Sequence, residues 1–471
     1  MKLFFFYIII ALSVFSCKRD KDNFAFLGGE ISNPTTNFVV IAKADSVLDT
    51  ISLDKNNRFI YKVDNLISGI YTFKHGGEVQ MVLLEPNDSI IFRLNTLDFD
   101  ESLVFTGTGD KKNNYLINGF LQNEIEQKRI FKFCQLSAEK YQNQIDSLKA
   151  EKDLKLQTFK KKYNPSDLFI QIAQANIDYN YYASKEIYPF IHYGENENKR
   201  DILNALPENF YDYRKEIDYN NDYNRDFLNY NSFLRSTFNN MALKDHLDHS
   251  KSDDFNTNAL CYNLDILNVV DSVISNPTIK NELLFHYTMT YLTRNNNPED
   301  NNAMLKSFLS KNTDGENKNN ISSVAQSINN LKKGNSFPNL ELVDLKNNDI
   351  KIGSLINKPT VIYFWSHKFN NHFKESHYKT NELSIKYPEV SFISINIDDN
   401  SPDFCKDSMK KNNFSYDNEF KFKDPKQSRL SLAVYPITKT IILDKNNTIV
   451  NANTNIFSVN FEEQLLGLIN K

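Results

Sequence analysis

Residues 361–377 read VIYFWSHKFNNHFKESH. The opening run, Val361 to Ser366, is almost wholly apolar and rich in aromatic and β-branched side chains, the composition of a strand covered on both faces. From about Asn371 to Lys386 the spacing predicts a helix. Outward from this pair, Gly334-Asn335-Ser336-Phe337-Pro338 leads into a strand at Leu340–Asp344. Ile352–Ile356 and Lys358-Pro359 then precede the central run. After it come a strand at Val390–Ile397 ending in Asp398-Asp399, a helix around Phe404–Lys410, and Val434–Asp444, which contains Pro436. A last helix carries Phe461, Leu465, Leu468 and Ile469 on one face. Alternating strands and helices predict a mixed sheet covered on both faces over residues 334–471.

This order resembles the membrane-anchored thioredoxin-like family of TlpA and AhpC/TSA type. Phe364-Trp365-Ser366 stands where that family has Phe-Trp-Ala/Ser, and Pro436 where it has the cis-proline facing the redox site. Its Cys-x-x-Cys positions are occupied by Phe369-Asn370-Asn371-His372. The family reaction needs a low-pKa thiolate at a helix N-terminus and a second thiol to resolve the mixed disulfide. Phe369 has no nucleophile and His372 cannot resolve a disulfide; the Pro-x-x-x-Thr-x-x-Cys pattern of peroxiredoxins is also absent. The resemblance therefore implies a degenerate redox site, with no catalytic residue and no cofactor. The surface around Trp365, Phe369, Asn370, Asn371, His372 and Pro436 is expected to serve binding or structure, since that groove holds extended peptides in active relatives. The alternative implied by the family is a thiol-disulfide oxidoreductase acting through Cys405 or through a partner's thiols.

His367, His372 and His377 recur every five residues, with Glu375 between the last two. Five residues rotate a helix by about 140°, so His372 and His377 do not share a face, whereas His372 and Glu375 do. No metal site is expected; these four residues are its candidates, against solvent-exposed or helix-capping histidines.

The N-terminus, MKLFFFYIIIALSVFSC, carries one Lys ahead of an apolar run too short to span a bilayer and suited to an export signal. Val14-Phe15-Ser16-Cys17 resembles a bacterial lipobox closing a signal segment at residues 1–17, which implies acylation of Cys17 and cleavage ahead of it, so that Cys17 becomes the mature N-terminus. The expected location is the cell envelope: lipid-anchored, on the periplasmic side of the inner or outer membrane or at the cell surface. The expected partners are the membrane, through that anchor, and an envelope protein or peptide. An ordinary cleaved signal is the other reading. No transmembrane helix is expected in the mature chain.

Residues 24–109 read as short strands separated by turn residues, predicting a small antiparallel sandwich or barrel. Thr50–Leu53 and Phe59–Val63 flank Lys55-Asn56-Asn57, a turn suited to a hairpin. Phe26-x-Gly28, Asn57-x-Phe59, Leu84-Glu85-Pro86-x-Asp88 and Phe105-x-Gly107-x-Gly109 are similar, in that order, to the β-rich domain preceding thioredoxin-like domains in bacterial envelope lipoproteins.

Residues 110–331 change to helical spacing, with segments at Tyr115–Phe131, Ala138–Tyr163 and Pro165–Tyr182. Lys311–Asn320 reads as a polar loop. Dense Tyr and Phe in this region are expected to be core. An aromatic cleft binding a nutrient or glycan is a further alternative.

The 471 residues thus divide into a multidomain α+β protein. A net charge of −4 with 24% charged residues gives no sign of a nucleic-acid partner. Cys134, Cys261 and Cys405 are widely spaced, without zinc-site or disulfide-framework spacing; inert buried thiols are expected, with a Cys134–Cys261 disulfide left open.

Overall fold

A computed structural model describes residues 23–470 apart from 45, 77, 193–197, 222–223, 226–227, 251–254, 296, 368 and 400. The export signal and Cys17 lie outside the described residues. No described helix is long and apolar enough to cross a membrane. The chain divides into two compact units: one holds the β-rich part up to Glu126 with Lys160–Ala173, the other Gln127–Phe159 with Gln174 onward.

In the first unit, β1 (Phe24–Ser32), β4 (Arg58–Asp64), β7 (Ser89–Asn95) and β8 (Val104–Thr108) form a sheet in the order β4-β1-β7-β8. The second sheet, in the order β3-β2-β5-β6, uses β2 (Phe38–Lys43), β3 (Ser46–Ser52), β5 (Gly69–His75) and β6 (Glu78–Leu84). Alternation along β7 buries Ile90, Phe92 and Leu94 while Ile91 and Arg93 face out. Residues from both sheets meet in one core, where Phe73 stacks on Phe92 at 4.3 Å.

Two details correct the sequence reading. β1 and β7 run parallel, because the intervening chain crosses to build the other sheet before returning. The Lys55-Asn56-Asn57 turn forms, with Asp54 Oδ1 accepting from the Asn56 and Arg58 amides at 2.8 and 2.9 Å. Yet β3 and β4 lie in different sheets, so this turn is a corner between them, not a hairpin.

The Phe105-x-Gly107-x-Gly109 motif has a steric cause. At Gly107, with φ of +99°, a Cβ would stand 2.1 Å from the Ser89 carbonyl oxygen; at Gly109, with φ of +96°, it would meet the Asp88 carboxylate at 2.5 Å. Asp88 is buried there because Lys112 pairs with it at 2.6 Å and with Glu85 at 2.7 Å. Lys112 lies in α1 (Asp110–Phe133).

Helices follow: α2 (Ala138–Tyr163), α3 (Asp167–Ile191), α4 (Lys199–Asn204), α5 (Leu228–His249), α6 (Leu260–Val273), α7 (Pro277–Arg294), α8 (Pro298–Lys311) and α9 (Gly315–Asn330). Caps explain the starts. Asn276 before Pro277 and Asn297 before Pro298 each accept amide hydrogens of the first turn. Asp314 does the same for Asn317, so α9 begins inside the stretch expected to be a loop. Many of the dense aromatics are core: Tyr141, Tyr188, Tyr230, Phe210, Phe233 and Phe238 are fully buried, while Tyr179, Tyr181, Tyr182, Phe190, Tyr211 and Tyr213 are half-buried.

At the C-terminal end, β9 (Glu341–Asp344), β10 (Asp349–Lys351), β11 (Thr360–Trp365), β12 (Ser391–Asn396), β13 (Glu419–Phe422), β14 (Thr440–Leu443) and β15 (Ile449–Thr454) form one mixed sheet. Its order is β10-β9-β13-β12-β11-β14-β15. β11, β12 and β13 are parallel, and β14 runs against β11. Every residue of β11 is buried. Ile362, Phe364 and Ile395 pack on one face of the sheet, and Val361, Tyr363 and Leu383 on the other. The accompanying helices are α10 (Asn370–Lys386), α11 (Pro402–Lys411), α12 (Pro425–Ser431) and α13 (Phe461–Ile469).

Candidate functional site

The site lies where β11 ends and α10 begins. Asp398, just past β12, fixes this exit: its Oδ1 accepts from the Ser366 hydroxyl and its Oδ2 from the His367 amide, both at 2.8 Å. Asp398 is itself held by the Asn396 side chain, whose Oδ1 accepts the Asp398 amide at 3.0 Å. Phe369 is the N-cap of α10 and makes no side-chain capping bond. Phe369 is 52% exposed.

Asn370 is half-buried and Asn371 exposed in the first turn of α10. His372 is half-buried, its Nδ1 has no hydrogen-bond partner, and burial pushes its pKa down. Pro436 is exposed and follows a cis bond from Tyr435. Because Tyr363 pairs with Thr440 in antiparallel register, the Pro436 loop and the start of α10 extend from the same end of the sheet. Nearby in sequence, Lys439 is buried, donates to the Ala433 carbonyl at 3.1 Å, and has its pKa pushed down by burial to about 7.

Trp365, expected on the surface, is fully buried. Its indole N–H donates to Glu419 Oε2 at 3.3 Å, and its ring lies 4.5 Å from that of Phe373. Trp365 therefore supports the site from beneath. Glu419, on β13, was missed by sequence reasoning because the strand is only four residues long.

The histidines correct a second expectation, since two of the three are buried instead of exposed or capping. His367 is 9% exposed, wedged edge-on against Phe404 at 4.1 Å, and its Nε2 has no partner. Burial pushes its pKa down to about 4, so the imidazole is neutral at pH 7. His377 points inward, its Nδ1 at 2.7 Å from the Phe373 carbonyl and its Nε2 at 2.8 Å from Glu419 Oε1. Glu375 is exposed. With His377 committed to Glu419 and Glu375 facing solvent, His367, His372, Glu375 and His377 are not gathered around a common point.

All three described cysteines are free thiols. Cys405 is fully buried in α11 against Trp365, Phe373 and Met409, and burial pushes its pKa up to about 12. Cys134 is likewise buried and pushed up to about 11. Cys261 departs from expectation in being exposed. For Cys405, burial and a raised pKa are the opposite of the exposed, low-pKa thiol that attack on a disulfide uses.

No family model matches the chain, and no curated protein matches it. Solved structures do show likeness over part of it. A candidate thiol-disulfide oxidoreductase from Bacteroides vulgatus is 18% identical, covering 29% of this chain and 97% of its own, at a TM-score of 0.26. A candidate thiol:disulfide interchange protein DsbE from Chlorobium tepidum is 17% identical, covering 29% of this chain and 98% of its own, at 0.24. A thiol:disulfide interchange protein from a Bacteroides species is 17% identical, covering 26% and 80%, at 0.22. Each likeness is confined to less than a third of this chain.

Proposed function

We propose that residues 334–471 form a thioredoxin-like domain without redox chemistry, carried by an exported protein anchored in the cell envelope through a lipid on Cys17. In this reading residues 24–109 and 110–331 are a β domain and a helical domain ahead of it. The surface bearing Phe369, His372 and Pro436 binds an extended segment of a partner protein. The observation that carries the reading is the chemistry at the head of α10. An exposed phenyl ring and a half-buried neutral imidazole occupy the two positions where a thiolate and its resolving thiol would be needed, and the region's own thiol is sealed in the core. An exposed aromatic beside backbone at a sheet end suits an apolar side chain of an extended peptide.

A photo-crosslinking amino acid at position 369, in cells expressing the full chain, tests this. A discrete adduct at 369 that is absent with the crosslinker at exposed Tyr416 supports the binding surface. No adduct at 369, or the same adducts from both positions, overturns it. Exchange with thiols supplied by another chain is the rival reading, and it would show as disulfide reduction that needs both chains, with the mixed disulfide on the other chain's thiol.

A further inference from the structure

In the helical region, two turns of neighbouring helices bring four potential ligands together. His246 and His249 stand three apart near the end of α5, and Cys261 and Asp265 four apart in the first turns of α6, so each pair shares a helix face. Asp265 Oδ2 lies 3.1 Å from His246 Nδ1 and 2.9 Å from His249 Nε2. Cys261 Sγ lies 3.9 and 4.0 Å from the two ring nitrogens of His249. One ligand atom from each of the four falls within 4.8 Å of every other.

We infer that His246, His249, Cys261 and Asp265 form a binding site for a divalent transition-metal ion of the zinc class, joining α5 to α6. Ligands at about 2.0–2.3 Å from zinc in a tetrahedron stand roughly 3.2–3.8 Å from one another. The Asp265–histidine and Cys261–His249 separations of 2.9–4.0 Å bracket that spacing, and no two of the four ligand atoms stand more than 4.8 Å apart. Cys261 is exposed and the His249 side chain is 49% exposed, so both can rotate to close the longer edges without disturbing the core. The inner ligands are held more firmly: His246 is 7% exposed and lies edge-on to Tyr262 and Phe255. Thiolate with two imidazoles and one carboxylate is a borderline-soft set, which selects zinc over magnesium or calcium. Four protein ligands fill the tetrahedron, so the role is a structural clip and not a catalytic centre. This inference is independent of the reading of the C-terminal domain.

The competing account is that Asp265 simply accepts hydrogen bonds from two imidazole N–H groups. Titration of the reduced full chain with cobalt(II) separates the two, because a thiolate ligand gives a sulfur-to-cobalt charge-transfer absorption that an imidazole or carboxylate cannot. The expected result is a saturable band at one equivalent, abolished by adding zinc. The band should be lost in Cys261→Ser, and binding should be at least about tenfold weaker in Asp265→Asn. No charge-transfer band in the natural chain, or a band that survives in Cys261→Ser, overturns the inference. The exposed position of Cys261 keeps the Ser variant folded, which far-ultraviolet circular dichroism checks.

Discussion

His377 Nε2 lies 2.8 Å from Glu419 Oε1, with the two side chains 6% and 3% exposed. Since the other ring nitrogen lies 2.7 Å from the Phe373 carbonyl, which can only accept, Nδ1 carries a hydrogen. The Ser394 hydroxyl lies 3.3 Å from the same Nε2. The Trp365 indole N–H completes the set on the second carboxyl oxygen. Removing Glu419 takes the acceptor from the buried Trp365 N–H and leaves His377 Nε2 only the Ser394 hydroxyl. Glu419→Ala is expected to cost about 3–5 kcal/mol, and Glu419→Gln, which keeps an acceptor, about 1–3 kcal/mol. Urea unfolding followed by tryptophan fluorescence checks both. Equal effects of the two variants would contradict the pairing.

That fluorescence comes from one place, because Trp365 is the chain's only tryptophan and is fully buried. Iodide should leave native emission almost unquenched and quench it strongly in urea. Strong quenching of the native protein would put Trp365 at the surface.

Acid should weaken this region through His367. Its folded pKa of about 4 lies below the ordinary 6.5 because burial disfavours the charged ring. Between those values the unfolded chain takes up a proton that the folded chain refuses. Stability is therefore intact above about pH 6.5 and falls as pH drops toward 4, by on the order of 3 kcal/mol from this group. His286, also pushed down by burial to about 4, acts in the same window. His367→Phe is expected to flatten, but not abolish, the loss of urea midpoint between pH 7 and 4.5. An unchanged slope would contradict the burial argument.

The thiols should differ in reactivity. With a chelator present, iodoacetamide is expected to label exposed Cys261 in the native chain, while Cys134 and Cys405, buried and raised in pKa, react only after denaturation. Peptide mapping reads this directly. Native labelling of Cys405 as fast as that of Cys261 would return it to consideration as a nucleophile.

Legibility followed the strength of local signals. The helix expected at Ala138–Tyr163 has those bounds, its buried face being Ala138, Tyr141, Ile145, Leu148 and Leu156, with Leu154 exposed. β11 was plain from its unbroken apolar run. Lys311–Asn320 misled because its polar composition hid a cap at Asp314. The Asn57 turn gave no hint that its two strands join different sheets, since sheet membership is set by tertiary pairing. At the site, the absence of thiols at positions 369 and 372 was visible in sequence, but the burial of Trp365 and its link to Glu419, 54 residues away, was not. His246, His249, Cys261 and Asp265 carry same-face spacings, yet only the packing of α5 on α6 brings the pairs together.

The most direct test of the account is disulfide-reductase turnover of the full chain beside the double substitution Phe369→Cys with His372→Cys. Cysteine at the N-cap of α10 would gain the helix-terminal environment that lowers a thiol pKa. The account expects the natural protein to be silent and the doubly substituted one to turn over. Turnover by the natural protein itself would contradict it.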